Sequence, residues 1–275
     1  MSDATNAAGP TFTLHQSRYV EELERVSGRL RGPICQIGSR AQIVDTKRLN
    51  WRQRLADKGF IGADLEPGDN VDVVFDVCGD REVIRNALAP MLAGRPLRGF
   101  ICAHLLEHLR TPWTAADTMA ALLAPGGQIF VQVPWVQAFH GFPDDYWRMS
   151  LSGVMALFEG LELVDAFWSG GSSDVAYRVF RNGRPDHSLA ARQLEATVFQ
   201  VLLPPDDNKS LLKTLKDKRA YLARGYMPAT VINALLRKPP AKVSRAGAGE
   251  EGAELGDAVA DDAGPVADVG ARLDG

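Results

Sequence analysis

The chain predicts a three-layer, doubly wound α/β fold built on a seven-stranded, mostly parallel sheet and followed by a C-terminal helical appendage. Three observations carry this prediction. Short apolar runs alternate with segments of helical period from residue 34 to residue 133, the order that yields parallel strands joined by crossover helices. The stretch from Leu97 to Trp147 compresses that order into one unit: Phe100-Ile101-Cys102-Ala103, a helix beginning at Pro112, and a second run from Ile129 to Val133. At 275 residues, with 45% hydrophobic content and a formal charge of −3, the chain is long enough to bury one full core.

In chain order, residues 1–12 are small and polar and are expected to be disordered. Tyr19, Val20, Leu23, Val26 and Leu30 recur at helical spacing among charged residues, predicting an amphipathic helix that Gly32-Pro33 ends. Ile34 to Ile37 reads as the first strand, ending at Gly38. A helix around Arg48 to Ala56 leads to the second strand, Phe60 to Ala63, ending at Asp64. The third strand runs from Val71 to Phe75 and ends at Asp76. Asp80 has the chemistry to cap a helix from Arg81 toward Met91. Pro112 suits the first turn of the next helix, where its missing N–H costs nothing, and Pro125-Gly126-Gly127 stops it. Beyond Trp147, Ser150 caps a short helix through Phe158, and Leu161 to Trp168 and Val175 to Phe180 read as the last two strands. Residues 190–201, 211–222 and 231–236 read as helices, so 186–238 forms the appendage. From residue 239 to 275, eight acids face three bases in an Ala, Gly and Asp-rich tail that is expected to be disordered, leaving the body near +2.

Charge and cysteine usage exclude several classes. There is no basic excess of the kind that nucleic acid demands. Cys35, Cys78 and Cys102 lie in or just after apolar runs and are odd in number, which argues for reduced, mostly buried thiols. The N-terminal stretch lacks the basic and apolar regions of a secretion signal, and no segment approaches ~20 uncharged apolar residues. A cytoplasmic protein is expected.

Ligands of such sheets sit at the carboxyl ends of the strands. A carboxylate after the second strand can take both hydroxyls of a ribose, which makes Asp64 the ribose candidate. Gly38 lets a ligand approach the backbone, but Gly38-Ser39-Arg40-Ala41 is not the G-x-G-x-x-G loop that seats a pyrophosphate. A nucleoside ligand without a diphosphate fits better, and S-adenosylmethionine is one. Gly38, Asp64 and Asp76 also have plainer readings as a tight turn, a turn-former and a solvated loop acid.

The segments Ile37-Gly38-Ser39, Gly62-Ala63-Asp64, Val71 to Asp76, Cys102 to His108, Leu123 to Gly127 and His140 to Arg148, in this order and spacing, resemble the class I S-adenosylmethionine-dependent methyltransferases of the type 11-like kind. The resemblance spans roughly residues 33–168. It implies a Rossmann-like methyltransferase fold over 13–185 with a reversed last hairpin, and S-adenosylmethionine as cofactor. It also implies that Gly38 lies near the methionine part, Asp64 on the ribose, Asp76 near the adenine and His104 by the sulfonium end. A non-catalytic nucleoside-binding member of the fold is an alternative, because Gln36 stands where the family usually has an acid and only one glycine follows.

His104-Leu105-Leu106-Glu107-His108 also has the H-x-x-E-H spacing of inverted zinc peptidases, in which one helix presents two histidines and a glutamate base. A zinc-dependent hydrolase would need that helix and a third ligand such as Glu159, Glu162 or Glu195. The segment instead follows a strand directly, so no metal ligand is assigned, and Glu107 and His108 are read as closing the loop.

The aromatic stretch from Trp135 to Arg148 hangs over the same strand ends. His140 is the candidate general base for an acceptor, with Asp144, Tyr146 and Arg148 to orient it. The plainer reading is a hydrophobic lid of Tyr146 and Trp147 with an Asp144–Arg148 pair. The acceptor is expected to be a small molecule or a glycan or lipid precursor. Any membrane contact is expected to be peripheral, through the basic amphipathic stretch from Lys209 to Arg224.

Overall fold

The computed structural model describes residues 11–40, 50–137, 139–141, 143–170, 174–188, 191 and 230–241. Apart from Ala191, the helix expected over 190–201, with that over 211–222, the basic stretch from Lys209 to Arg224, and the tail from Lys242 onward, lies outside the described residues.

The elements run β1 (Phe12–Ser17), α1 (Tyr19–Arg29), β2 (Ile34–Ile37), α2 (Trp51–Arg54), β3 (Phe60–Asp64), β4 (Val73–Val74), α3 (Arg81–Leu92), β5 (Gly99–Ala103), α4 (Pro112–Leu122), β6 (Gln128–Val136), α5 (Leu151–Leu157), β7 (Glu162–Gly170), β8 (Ala176–Arg181), β9 (Arg184–Pro185) and β10 (Thr230–Arg237). All the described strands join one sheet in the order β1-β8-β7-β10-β6-β5-β2-β3-β4, with β9 beside β8. The segment from β4 to β6 is parallel. The fold is a Rossmann-like, doubly wound α/β sheet.

Strand alternation produces the three layers, since successive side chains point to opposite faces. In β5, Phe100 and Cys102 join one core with α3, α4 and α5, while Ile101 and Ala103 join the other with α1 and α2. In β6, Ile129, Val131 and Val133 face the first core and Phe130 the second. Such strands are apolar on both sides, which is why they read as continuous runs. The caps follow their chemistry. Asp80 Oδ1 accepts from the backbone N–H of Glu82 and Val83 at 2.8 and 3.1 Å, and Ser150 Oγ accepts from Gly153 N at 3.1 Å.

Three elements depart from expectation. Among the described residues the sheet has ten strands rather than seven. Residues 12–17, of which only residue 12 is expected to be disordered and in which no strand is read from the sequence, form the edge strand β1, antiparallel to β8. Residues 231–236, expected as a helix of the appendage, form β10 instead, inserted antiparallel between β6 and β7. The reason is packing: a strand buried on both faces needs a near-continuous apolar run, and Val231-Ile232-Asn233-Ala234-Leu235-Leu236, broken only by Asn233, satisfies that as readily as a helix stripe.

Candidate active site

The chain leaves β2 for β3 and β4 on one side, then returns to β5 on the other. Between β2 and β5 the direction of winding reverses, and the carboxyl ends of these strands open a crevice where ligands bind. Gly38 ends β2 with φ +75°, and a Cβ there would stand 3.3 Å from Leu105 Cδ1 in the loop after β5. The loops after β2 and β3 are clasped together by Ser39 Oγ donating to the Asn70 carbonyl at 2.9 Å and Asn70 Nδ2 donating to the Ser39 carbonyl at 2.8 Å. Asp64, half-buried at the end of β3, accepts the backbone N–H of Arg40 at 3.0 Å and of Glu66 at 3.3 Å. A carboxylate has about four acceptor positions, so two stay open. Asp76 is exposed and accepts from Cys78 N at 2.8 Å, closing its own turn. Cys35, Cys78 and Cys102 are free thiols, and burial pushes all three above the usual thiol range.

Across the crevice, β5 ends in a histidine cluster. His104 takes a left-handed backbone at φ 51°, and a single 3-10 turn over Leu106–His108 follows. That turn places Glu107 in the protein interior, 0% exposed, with both carboxylate oxygens lacking a hydrogen-bond partner among the described residues. Three imidazoles surround Glu107 Oε1: His104 Nδ1 at 3.5 Å, His140 Nε2 at 3.8 Å and His108 Nε2 at 3.9 Å. The rings of His108 and His140 meet edge to face, 5.0 Å between centroids.

The aromatic loop after β6 is tied to this turn by its backbone. The Glu107 carbonyl accepts from Tyr146 N at 2.7 Å and Trp147 N at 3.3 Å, and Met149 N donates to the Pro134 carbonyl at 3.1 Å. His108 Nδ1 lies 2.6 Å from the Asp144 carbonyl. Since a carbonyl only accepts, Nδ1 carries the proton and Nε2 of the neutral ring is a lone pair. Asp145 accepts the His140 backbone N–H at 3.0 Å, and its Oδ2 lies 3.1 Å from His140 Nδ1, within ion-pair reach though off the line of a hydrogen bond. Arg148 binds both Asp145 oxygens, and those hydrogen bonds hold the Asp145 carboxyl well below the usual carboxylate range.

The structure thus brings His104 and His140 together and sets Gly38 against the loop that carries His104. Asp64 and Asp76 stand at the neighbouring strand ends. Several details differ from the sequence reading. Arg148 pairs with Asp145 rather than Asp144, whose side chain instead accepts the Asp145 N–H at 2.9 Å. Tyr146 points outward, 41% exposed, near Trp147, which packs edge to face on Trp113. The H-x-x-E-H segment forms no α-helix, so its histidines do not share a helix face. Glu162 pairs with Arg237 and Glu159 is exposed, and Glu195 lies outside the described residues. Glu107, read as loop-closing, closes the loop through its carbonyl, while its carboxylate makes no hydrogen bond among the described residues. Asp145 was missed because two adjacent acids are indistinguishable by spacing.

No family model matches the chain, and no curated protein matches it. Solved structures do match. The N-methyltransferase NodS from Bradyrhizobium japonicum WM9, in complex with S-adenosyl-L-homocysteine, is 16% identical, with 60% of this chain and 87% of that one covered at a TM-score of 0.36. A SAM-dependent methyltransferase from Archaeoglobus fulgidus is 14% identical over 79% of this chain and 94% of its own, at 0.42. The [4+2]-cyclase SpnF is 13% identical over 80% and 82%, at 0.40. These scores add nothing to what the strand order already establishes about the fold.

Proposed function

We propose that the chain is an S-adenosylmethionine-dependent methyltransferase acting on a small-molecule, glycan or lipid-precursor acceptor. The observation that supports it best is the pairing of Gly38 and Asp64 at adjacent strand ends beside the winding reversal, opposite a histidine cluster. The residues fit the cofactor: Gly38 leaves backbone accessible at φ +75°, and Asp64 keeps acceptor positions for ribose hydroxyls. In this reading Gly38 lies near the methionine part, Asp76 near the adenine and His104 by the sulfonium end. When bound, the cofactor supplies an electrophilic methyl group that an acceptor takes by in-line displacement, leaving S-adenosylhomocysteine.

Positioning is the larger contribution, since holding reactants in attack geometry contributes ~7–11 kcal/mol. Removal of the acceptor proton by the histidine cluster at His140 adds about 10²–10⁴-fold. The aromatic loop, held to the Glu107 carbonyl, covers the acceptor side and excludes water.

Isothermal titration with S-adenosylmethionine and S-adenosylhomocysteine tests this reading. Micromolar binding that Asp64→Ala abolishes is the expected result. Absence of binding by the unmodified protein would sink it.

A further inference from the structure

We infer that Glu107, His108 and His140 form a binding site for one divalent transition-metal ion, with zinc the first choice. The ligand atoms of these three residues all lie within 4.8 Å of one another. Two independent features point to a cation. The first is Glu107 itself: a fully buried carboxylate whose two oxygens lack hydrogen bonds among the described residues, an arrangement that costs several kcal/mol unless a positive charge sits against it. The second is the orientation of the rings. Nδ1 of His108 is hydrogen-bonded to a carbonyl, which leaves its Nε2 as the acceptor side, and Nδ1 of His140 lies 3.1 Å from a carboxylate, with Nε2 of both rings facing Glu107. The acceptor nitrogen of His108 and the Glu107 carboxylate face one another with no proton between them, and they repel unless a cation lies there. A carbonyl or carboxylate behind the distal nitrogen is also the support that metal-ligating histidines receive.

The distances are consistent with this. Ligands about 2.0–2.1 Å from a tetrahedral ion stand about 3.3 Å apart. His140 Nε2 and His108 Nε2 lie 3.8 and 3.9 Å from Glu107 Oε1, so each stands about 0.5 Å beyond that spacing. Two imidazoles and one carboxylate suit zinc and its transition-metal neighbours, while magnesium prefers an all-oxygen octahedron. His104 Nδ1, 3.5 Å from the same oxygen, stands beside the site. This set differs from the H-x-x-E-H helix pair: His140 comes from the loop after β6, and the site forms only when that loop docks on the β5 turn. Three protein ligands would leave a position open for an acceptor heteroatom, whose pKa the ion would lower; with its Nε2 on the ion, His140 would be a ligand, and the lowered acceptor pKa would take the place of its base role. That role, though not the site, rests on the methyl-transfer reading.

The test uses the full chain, stripped of metal and dialysed, titrated with zinc, manganese and magnesium against a chromophoric chelator. One zinc per chain is expected, with affinity at least tenfold weaker in Glu107→Gln and in His140→Ala and magnesium failing to compete. X-ray absorption at the zinc edge of the unmodified protein is expected to show two imidazoles and an oxygen shell, a readout independent of how the variants fold. No stoichiometric zinc uptake, uptake unchanged in both variants, or a shell without imidazole would overturn the site. Zinc uptake is measured without S-adenosylmethionine and cofactor binding in metal-free protein, so failure of one reading is separable from failure of the other.

Discussion

Asn233 Oδ1 accepts a hydrogen bond from Gln132 Nε2 at 2.7 Å in the fully buried middle of the sheet. The two residues are cross-strand partners on β10 and β6. Asn233 Nδ2 donates onward to Ser169 Oγ on β7 at 2.9 Å, and Gln132 Nε2 also donates to the Tyr19 hydroxyl at 2.6 Å. One polar thread therefore crosses α1, β6, β10 and β7. A one-residue slip of β10 would turn Asn233 to the other face and strand its amide in an apolar core. Asn233→Ala is expected to lower stability by about 1–3 kcal/mol for each polar group left unpaired, read as a lower urea midpoint. An unchanged midpoint would show that the thread does not hold β10 in register.

That thread also explains what the sequence concealed. The strands β2, β3, β5 and β6 were legible because each apolar run is bounded by Gly, Pro or an acid, and Asp80, Pro112 and Ser150 mark helix starts by their own chemistry. β10 carries no such marks. Its place between β6 and β7 is set by partners about 60 to 100 residues away in the chain, which no local period encodes. β1 offers only Phe12 and Leu14 as inward-facing apolar residues, too short an alternation to register. In the site, Gly38, Asp64 and His104 were legible as strand-end residues, and His140 as a loop residue of the right chemistry. That His140 and Glu107 meet is a docking of two loops, and spacing carries no record of it.

Arg178 lies 5% exposed between two buried carboxylates, Glu22 on α1 and Asp165 on β7. Arg25 and Arg29 add further charge from α1 to the same acids. The network fastens α1 to the sheet where a purely apolar helix face would slide. Arg178→Met fills the space but leaves both acids without their most buried partner. Stability is expected to drop by about 3–5 kcal/mol, measured by denaturant unfolding, whereas a change below ~1 kcal/mol would mean Arg25 and Arg29 suffice.

Gly62 sits in β3 where a Cβ would stand 2.1 Å from the Asn70 carbonyl oxygen. Its N–H and C=O bond Asp72 at 2.7 and 2.8 Å, so the strand has no room to retreat. Gly62→Ala must displace the Asn70 loop, break its clasp with Ser39 and shift Asp64 two residues on. If the proposed cofactor site is correct, the affinity for S-adenosylhomocysteine falls at least tenfold while the far-UV circular dichroism is kept. Wild-type affinity in a folded variant would separate Asp64 from ligand binding.

Asp145 gives the docked loop an acid-sensitive fastening. Its side chain is 1% exposed and its partner Arg148 is 27% exposed, and the Arg148 hydrogen bonds hold its folded-state pKa below the ordinary carboxylate value. A depressed carboxyl stabilises the fold above its unfolded pKa, near 3.9, and that contribution is lost as pH falls through the folded value. Asp145→Asn keeps the shape of the side chain and removes the charge. The variant is therefore expected to be less stable by about 1.5–3 kcal/mol above pH ~5, and the gap to the unmodified protein should close progressively below pH ~4. Thermal unfolding of both proteins from pH 6 to pH 2.5 measures it. A gap that stays constant over that range would mean that the pair contributes by shape and hydrogen bonding alone, with no charge for acid to remove.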